Sequence, residues 1–383
     1  MLGGEWRESH SRKFLVVNRK YSPGYRHGRV SIADSLPPWP RLELLGSGGP
    51  DKARPPLSSD RLLFLDLETT GLAGGAGSYA FLVGCGWFEP PSPSALAGQA
   101  ACFRTCQFFL ADFAAERALL ESVAELAAGI ACVVTYNGKA FDLPLIETRF
   151  VLQRMTTPFA DMPHVDLLHP ARRMWRDGDV ECRLTYLEQA LCGHAREGDV
   201  PGFEIPSRYF QYVRSGDARP LEAVLEHNRL DIISLAMLTA RAAQLLDEGP
   251  SAATTPREAF GMGRLYERAG MHDQALECFR RTHTVDAFRA SATLLRHLRR
   301  YEEAAAAWRE LLGTRQCPPA YAREATEALA IHHEHRARDL DAARTFALQS
   351  LRLQATAARQ DAVKYRLARL DRKLGVPSQP LFQ

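Results

Sequence analysis

The sequence predicts an α/β domain, a mixed sheet with helices on both faces, followed by an all-α domain. Three observations carry this. After residue 60 three strand-like runs follow one another, separated by Gly-rich or Pro/Ser-rich turns. Helical and strand-like patterns then alternate to about residue 248, and from about residue 255 the strands give way to Ala-rich helical periodicity. A chain of 383 residues is long enough for two or three domains.

Residues 1–60 mix Gly, Pro and charge ("YSPGYRHGRV", "DSLPPWPRLELLGSGG") and read as an irregular basic arm. Strands are expected at 61–68, 78–88 ("SYAFLVGCGWF") and 101–109 ("ACFRTCQFF"), then a helix at 112–128 with Asp112 as N-cap, and a buried strand "ACVVTY" at 131–136. A helix at 143–154, a short strand at 164–168, a helix at 183–192 and a long helix at 218–247 complete a domain spanning 61–248. An RNase H-like fold fits that order. In the region 255–375, "MHDQALECF", "RYEEAAAAW" and "DLDAARTFA" place Ala275, Ala304 and Ala343 in equivalent positions, 29 and 39 residues apart. These intervals bracket the roughly 34-residue tetratricopeptide period, although a plain helical bundle gives similar helices.

Apolar residues make up 46 % of the chain, no apolar run reaches the length of a membrane-spanning helix, and the N-terminus has no signal-peptide core. The expectation is a cytoplasmic protein that does not engage the membrane. The eight cysteines lie mostly inside apolar segments and form no CxxC pair. They are expected as buried thiols in a reducing compartment, with no structural zinc.

The net charge of +3 divides unevenly: +4 over residues 1–60, −8 over 61–254 and +7 over 255–383. Within the acidic stretch, "FLDLETTGL" sets Asp66 and Glu68 two residues apart, on the strand face that also carries Leu62 and Phe64. Two like charges there require a cation. "TYNGKAFDLP" adds Asp142 ahead of a helix, where it is either a further ligand or that helix's cap. In "LEHNRLDIISL" the apolar stripe of the long helix, Leu221, Val224 or Leu225, Leu235, Leu238, Ala242 and Leu245, also takes in Asn228 and Asp231. A buried carboxylate needs a partner, and His227 lies one turn before Asp231.

Together Asp66, Glu68, Asp142 and Asp231 offer hard oxygen ligands for two Mg²⁺ or Mn²⁺ ions about 3.5–4 Å apart, the arrangement for in-line phosphoryl displacement. Asp66 would bridge the ions, Glu68 and Asp231 would complete one site, and Asp142 would support the other. His227, with an ordinary pKa of about 6.5, is the candidate to orient the attacking water and take its proton, or else a satisfied helix histidine. Tyr136, Asn137 and Lys139 border Asp142 and are candidates to contact the terminal phosphate or sugar, although a Y-N-G-K turn also explains them.

The segments "DLETTGL", "YNGKAFDLP" and "HNRLD" resemble the three motifs of the DEDD 3′–5′ exonuclease superfamily, over about residues 61–245. That resemblance implies two-metal hydrolysis releasing nucleoside monophosphates from a 3′ end, with the backbone around Thr69, Thr70 and Gly71 cradling the terminal nucleotide. One departure is that most histidine-type members place His five residues before the last Asp. Here the spacing is four, so His227 is rotated about 100° around the helix from that position. The longer segments "FLDLETTGLAGGAGSYAFLVGCG", "HVDLLHPARRMW" and "CRLTYLEQALCG", followed by tetratricopeptide-like helices, resemble the YprB/MrfB-like RNase H-like proteins, a family that includes the mitomycin repair factor exonuclease. The implied function is a DNA 3′–5′ exonuclease that works in repair with a helicase partner, its helical domain binding a protein or the strand. An RNA exonuclease and a nucleic-acid or protein-binding scaffold are the alternatives.

Overall fold

The computed structural model describes residues 2–9, 11–46, 61–71, 77–91, 101–176, 182–353 and 357–376. Its chain divides into two compact units, Met1–Ala252 and Ala253–Gln383.

The strands of the first unit are β1 (Glu5–Ser9), β2 (Arg12–Tyr21), β3 (Arg26–His27), β4 (Val30–Ser31), β5 (Leu62–Thr69), β6 (Ala80–Glu89), β7 (Cys102–Phe109), β8 (Cys132–Thr135) and β9 (His164–Asp166). Seven of them form one sheet in the order β1-β2-β7-β6-β5-β8-β9, and β3 and β4 pair separately. From β1 to β5 neighbours run antiparallel, while β5, β8 and β9 are parallel, so the sheet is mixed.

The helices are α1 (Glu116–Ala127), α2 (Asp142–Leu152), α3 (Leu168–Trp175), α4 (Leu184–Leu187), α5 (Ile205–Ser215) and α6 (Leu221–Glu248). Asp112 caps the turn that leads into α1, accepting the Ala114 N–H at 3.0 Å.

The amino-terminal segment corrects the expectation of an irregular arm. β2 pairs with β7 from Leu15 opposite Phe109 to Tyr21 opposite Phe103, and Phe14–Val17 are buried. Four successive apolar residues in "RKFLVVNRKY" are enough for a buried strand, but the surrounding Gly, Pro and charge obscure them. Residues 47–60 of that arm and 72–76 of the Gly-rich turn after β5 lie outside the described residues. The helix expected at 183–192 is only α4 followed by a π-helical turn, Glu188–Cys192. α5 was not expected at all.

α6 packs across β5, β6 and β7. What admits it so closely is a pair of glycines two residues apart on β6. A Cβ at Gly84 would stand 2.3 Å from Asn228 Oδ1 and 2.5 Å from Ile232 Cδ1, and one at Gly86 would stand 2.4 Å from Ile232 Cγ2. Any side chain there would displace the Asn228 and Ile232 side chains of α6, or the helix with them. In register, Asp66 sits opposite Gly84, and Gly84 opposite Gln107, so the polar side chains of β5 and β7 lie in one row beneath the helix with the glycine between them.

The second unit is helical. α7 (Pro256–Arg268) pairs with α8 (His272–Thr282), α9 (Val285–His297) with α10 (Tyr301–Gly313), and α11 (Pro319–His332) with α12 (Leu340–Leu353), before α13 (Ala357–Leu374). Ala275, Ala304 and Ala343 fall in the first half of the second helix of each pair, and all three are buried. Small residues at those points let paired helices approach.

Candidate active site

β5 delivers Asp66 and Glu68 to the face covered by α6, and α6 brings Asn228 to the first of them. Asn228 is fully buried. Its amide donates to Asp66 Oδ2 at 2.8 Å and to the Asp66 carbonyl at 3.2 Å. Gln107 in turn donates to Asn228 Oδ1 at 2.9 Å and to the Leu225 carbonyl at 2.7 Å. This neutral chain, running from β7 through α6 to β5, fixes where Asp66 points. The signal for it lay in the apolar stripe of α6, which Asn228 interrupts.

Asp142 opens α2 but does not cap it. Its Oδ1 accepts the Leu67 N–H at 3.1 Å. β8 pairs with β5 only as far as Phe64, so the carboxylate takes up a β5 donor that lies beyond the end of that ladder. The cap reading is therefore set aside, and Asp142 is held beside Glu68 and Asp66.

The electrostatics follow from this crowding. Burial first, then the charges of Asp231, Glu68 and Asp142, push the Asp66 carboxyl well above the usual range. Glu68 is raised in the same way, by burial and then by Asp231, Asp142 and Asp199. Burial also raises Asp142, to about 7, against the pull of the Leu67 N–H. Among the described residues no Lys or Arg pairs with Asp66, Glu68 or Asp142. Hard oxygen donors that repel one another and lack a counter-charge fit a divalent cation.

Asp231 differs. Its Oδ1 meets Arg196 Nη2 at 2.5 Å, and its Oδ2 lies 3.5 Å from His227 Nε2. His227 Nδ1 lies 2.7 Å from Asp199 Oδ1, and Arg196 Nη1 is 3.3 Å from Asp199 Oδ2. Arg196 and Asp199 were not singled out in the sequence, because both lie in an irregular segment whose position against α6 has no periodic signature.

One group of three His, Cys, Asp or Glu among the described residues has its ligand atoms all within 4.8 Å of one another: His27, Glu188 and His194. The four carboxylates adjoin more loosely. In the His27 group, Glu188 already accepts from Arg196 Nε at 2.6 Å, Ser234 Oγ at 2.5 Å and His27 Nε2 at 2.6 Å. Burial would raise its carboxyl, but these partners hold it below its ordinary value. Its charge is met, and the group ties the β3–β4 hairpin to α6.

The remaining expected site residues flank Glu68 and Asp142 along the chain. Thr69 Oγ1 donates to the Gly71 carbonyl at 2.8 Å. Thr70 Oγ1 accepts the Tyr79 N–H at 2.9 Å, and the Thr70 N–H donates back to the Tyr79 carbonyl at 3.0 Å. The Tyr136 hydroxyl donates to the Cys182 carbonyl at 2.5 Å. Asn137 adopts φ +66°, and the Asn137 and Lys139 N–H groups donate to Asp166 at 2.7 and 3.1 Å. Lys139 has an exposed side chain. Buried Asp166, at the end of β9, thus shapes the loop that delivers Asp142, and it also accepts the Leu168 N–H at 3.1 Å. A carboxylate closing the short strand "HVD" was the sequence sign of that role.

Comparison with known proteins agrees with this architecture. Residues 63–243 match the RNase_H_2 model of the RNase_H superfamily. YprB of Bacillus subtilis (strain 168) is 31 % identical over 375 residues, which cover 94 % of this chain and 86 % of that protein. The chain is a YprB-like member of the RNase H superfamily. RNase H-like folds usually house nucleases that use divalent metals, and a nuclease acts on nucleic acid. No helix among the described residues is long and apolar enough to cross a membrane.

Proposed function

We propose that this YprB-like protein is a metal-dependent 3′–5′ exonuclease acting on DNA in repair. The observation that carries the reading is the set of Asp66, Glu68 and Asp142, half-buried together, their carboxyls raised by desolvation first and then by neighbouring carboxylates, with no Lys or Arg paired to them among the described residues. Asp66, Glu68, Asp142 and Asp231 would hold two Mg²⁺ or Mn²⁺ ions, which when bound polarise the scissile phosphate and the attacking water.

The chain's own groups supply the rest. Asn228 aims Asp66, and the Leu67 N–H aims Asp142. His227 Nε2 takes a proton from the water as its oxygen attacks phosphorus. The bond from phosphorus to the 3′-oxygen of the preceding nucleotide breaks, that oxygen gains a proton from solvent, and a nucleoside 5′-monophosphate leaves. The turn around Thr69, Thr70 and Gly71 is braced against Tyr79 and can present backbone groups to the terminal nucleotide. The Tyr136 hydroxyl is used internally, as are the backbone N–H groups of Asn137 and Lys139, whereas the exposed Lys139 side chain can reach a phosphate. The helical unit, tetratricopeptide-like in this reading, would bind a helicase or other protein partner, or the strand.

The test is release of mononucleotides from single-stranded, duplex and gapped DNA and matched RNA, each with a 3′ or a 5′ block, under Mg²⁺ or Mn²⁺. Release from DNA stopped only by the 3′ block is expected. Preference for RNA would move the function to RNA processing, and no release from any substrate would leave a scaffold.

A further inference from the structure

His227 does not stand alone against the carboxylates. Asp231, His227, Asp199 and Arg196 close a ring: Asp231 Oδ2 to His227 Nε2 at 3.5 Å, His227 Nδ1 to Asp199 Oδ1 at 2.7 Å, Asp199 Oδ2 to Arg196 Nη1 at 3.3 Å, and Arg196 Nη2 to Asp231 Oδ1 at 2.5 Å. The Arg196 side chain is 5 % exposed, and its third nitrogen is spent on fully buried Glu188. The guanidinium is thus fixed at all three of its nitrogens and cannot swing away without stranding a buried charge. Asp199 is fixed a second time by the N–H of Val200, which donates to its Oδ1 at 2.9 Å.

We propose that Asp199 is a positioning residue for His227. An ionised carboxylate only accepts hydrogen bonds, so the neutral imidazole must donate Nδ1–H to Asp199, which leaves the Nε2 lone pair on the side of Asp231 and the other carboxylates. Arg196 keeps Asp199 and Asp231 at the spacing that the ring of His227 spans. This supplies what the four-residue interval between His227 and Asp231 takes away. The histidine is set by a loop acid outside α6 rather than by its place on the helix. The inference rests on the proposed hydrolysis for its consequence in turnover, but not for the tautomer itself.

The experiment uses the full chain with histidine-selective ¹⁵N labelling, the His227 signals being assigned by their loss in His227→Ala. The metal-free wild type should show His227 protonated at Nδ1, and Asp199→Asn should shift it toward the Nε2-protonated form. In the nuclease assay Asp199→Asn should lower kcat about 10- to 100-fold while leaving KM and the number of bound Mn²⁺ ions within about twofold. The same change in a His227→Ala background should cost nothing further. Asp199→Glu, which restores the acceptor, should recover part of the loss. An Nδ1 signal indifferent to Asp199→Asn, or a kcat loss matched by loss of Mn²⁺ binding, would overturn the proposal. A wild type with no nuclease activity would defeat the hydrolysis instead, and the NMR result would still decide whether Asp199 sets the tautomer.

Discussion

On β5 and α2, Asp66, Glu68 and Asp142 face one another with no basic side chain paired to them among the described residues, whereas on α6 Asp231 lies 2.5 Å from Arg196. The first group is aimed by neutral donors, Asn228 and the Leu67 N–H, which orient carboxylates without neutralising them. The second is tied into an ion-paired ring that also contains His227. The difference teaches where an added cation acts. It relieves repulsion in the first group and competes with an existing partner in the second.

The largest effect that separates the two groups is expected from Asp66→Asn. Removing that charge should lower nuclease turnover on the order of a thousandfold while leaving the metal-free thermal midpoint unchanged or higher, because a repulsive charge has gone. A collapse in thermal midpoint would mean that Asp66 is structural. Next, Asn228→Ala removes the donor that aims Asp66 and one of the two acceptors of the Gln107 amide. Metal affinity should fall roughly 10- to 100-fold and stability by about 1–3 kcal/mol, read by metal titration and urea unfolding. Full metal affinity in that variant would show that Asp66 needs no aiming.

The glycines of β6 test the same point through packing. Gly84→Ala would place a methyl carbon 2.3 Å from Asn228 Oδ1, so the Asn228 side chain, or α6 with it, must shift. A loss of about 1–3 kcal/mol is expected, with weakened metal binding alongside it. The smallest effect is in pH. Asp142 is raised to about 7 in the fold, so its ionised form opposes folding fully above that pH, and the opposition fades as pH falls toward its ordinary value of 3.8. In chelator, Asp142→Asn should therefore exceed the wild type in thermal midpoint at roughly pH 8, and the gap should narrow toward roughly pH 5.

Much of this was legible in the sequence because its causes are local. Alternation on β5 put Asp66 and Glu68 on one face, and the interrupted stripe of α6 marked Asn228 and Asp231 as polar groups in an apolar setting. Successive strands followed by alternating helices and strands gave the mixed sheet. What stayed hidden depends on contacts distant in sequence. β2 is a strand because β7 leaves an edge for Phe14–Val17 to cover, and nothing in a Gly- and Pro-bearing amino-terminal segment announces that edge. Asp199 reaches His227 from 28 residues away through a loop without periodicity, and Arg196 reaches Asp231 from 35. Asp142 read equally well as a cap or a ligand until the unpaired Leu67 N–H beyond β8 showed what its oxygen accepts.

The central claim, that these carboxylates are a site for divalent ions, is tested most directly by counting bound Mn²⁺ through the loss of its free-ion electron paramagnetic resonance signal. The account predicts two ions per chain, displaced by Mg²⁺, with at least one lost in Asp66→Asn and in Asp142→Asn. Wild-type protein that leaves the Mn²⁺ signal untouched, or variants that bind as many ions as the wild type, would contradict it.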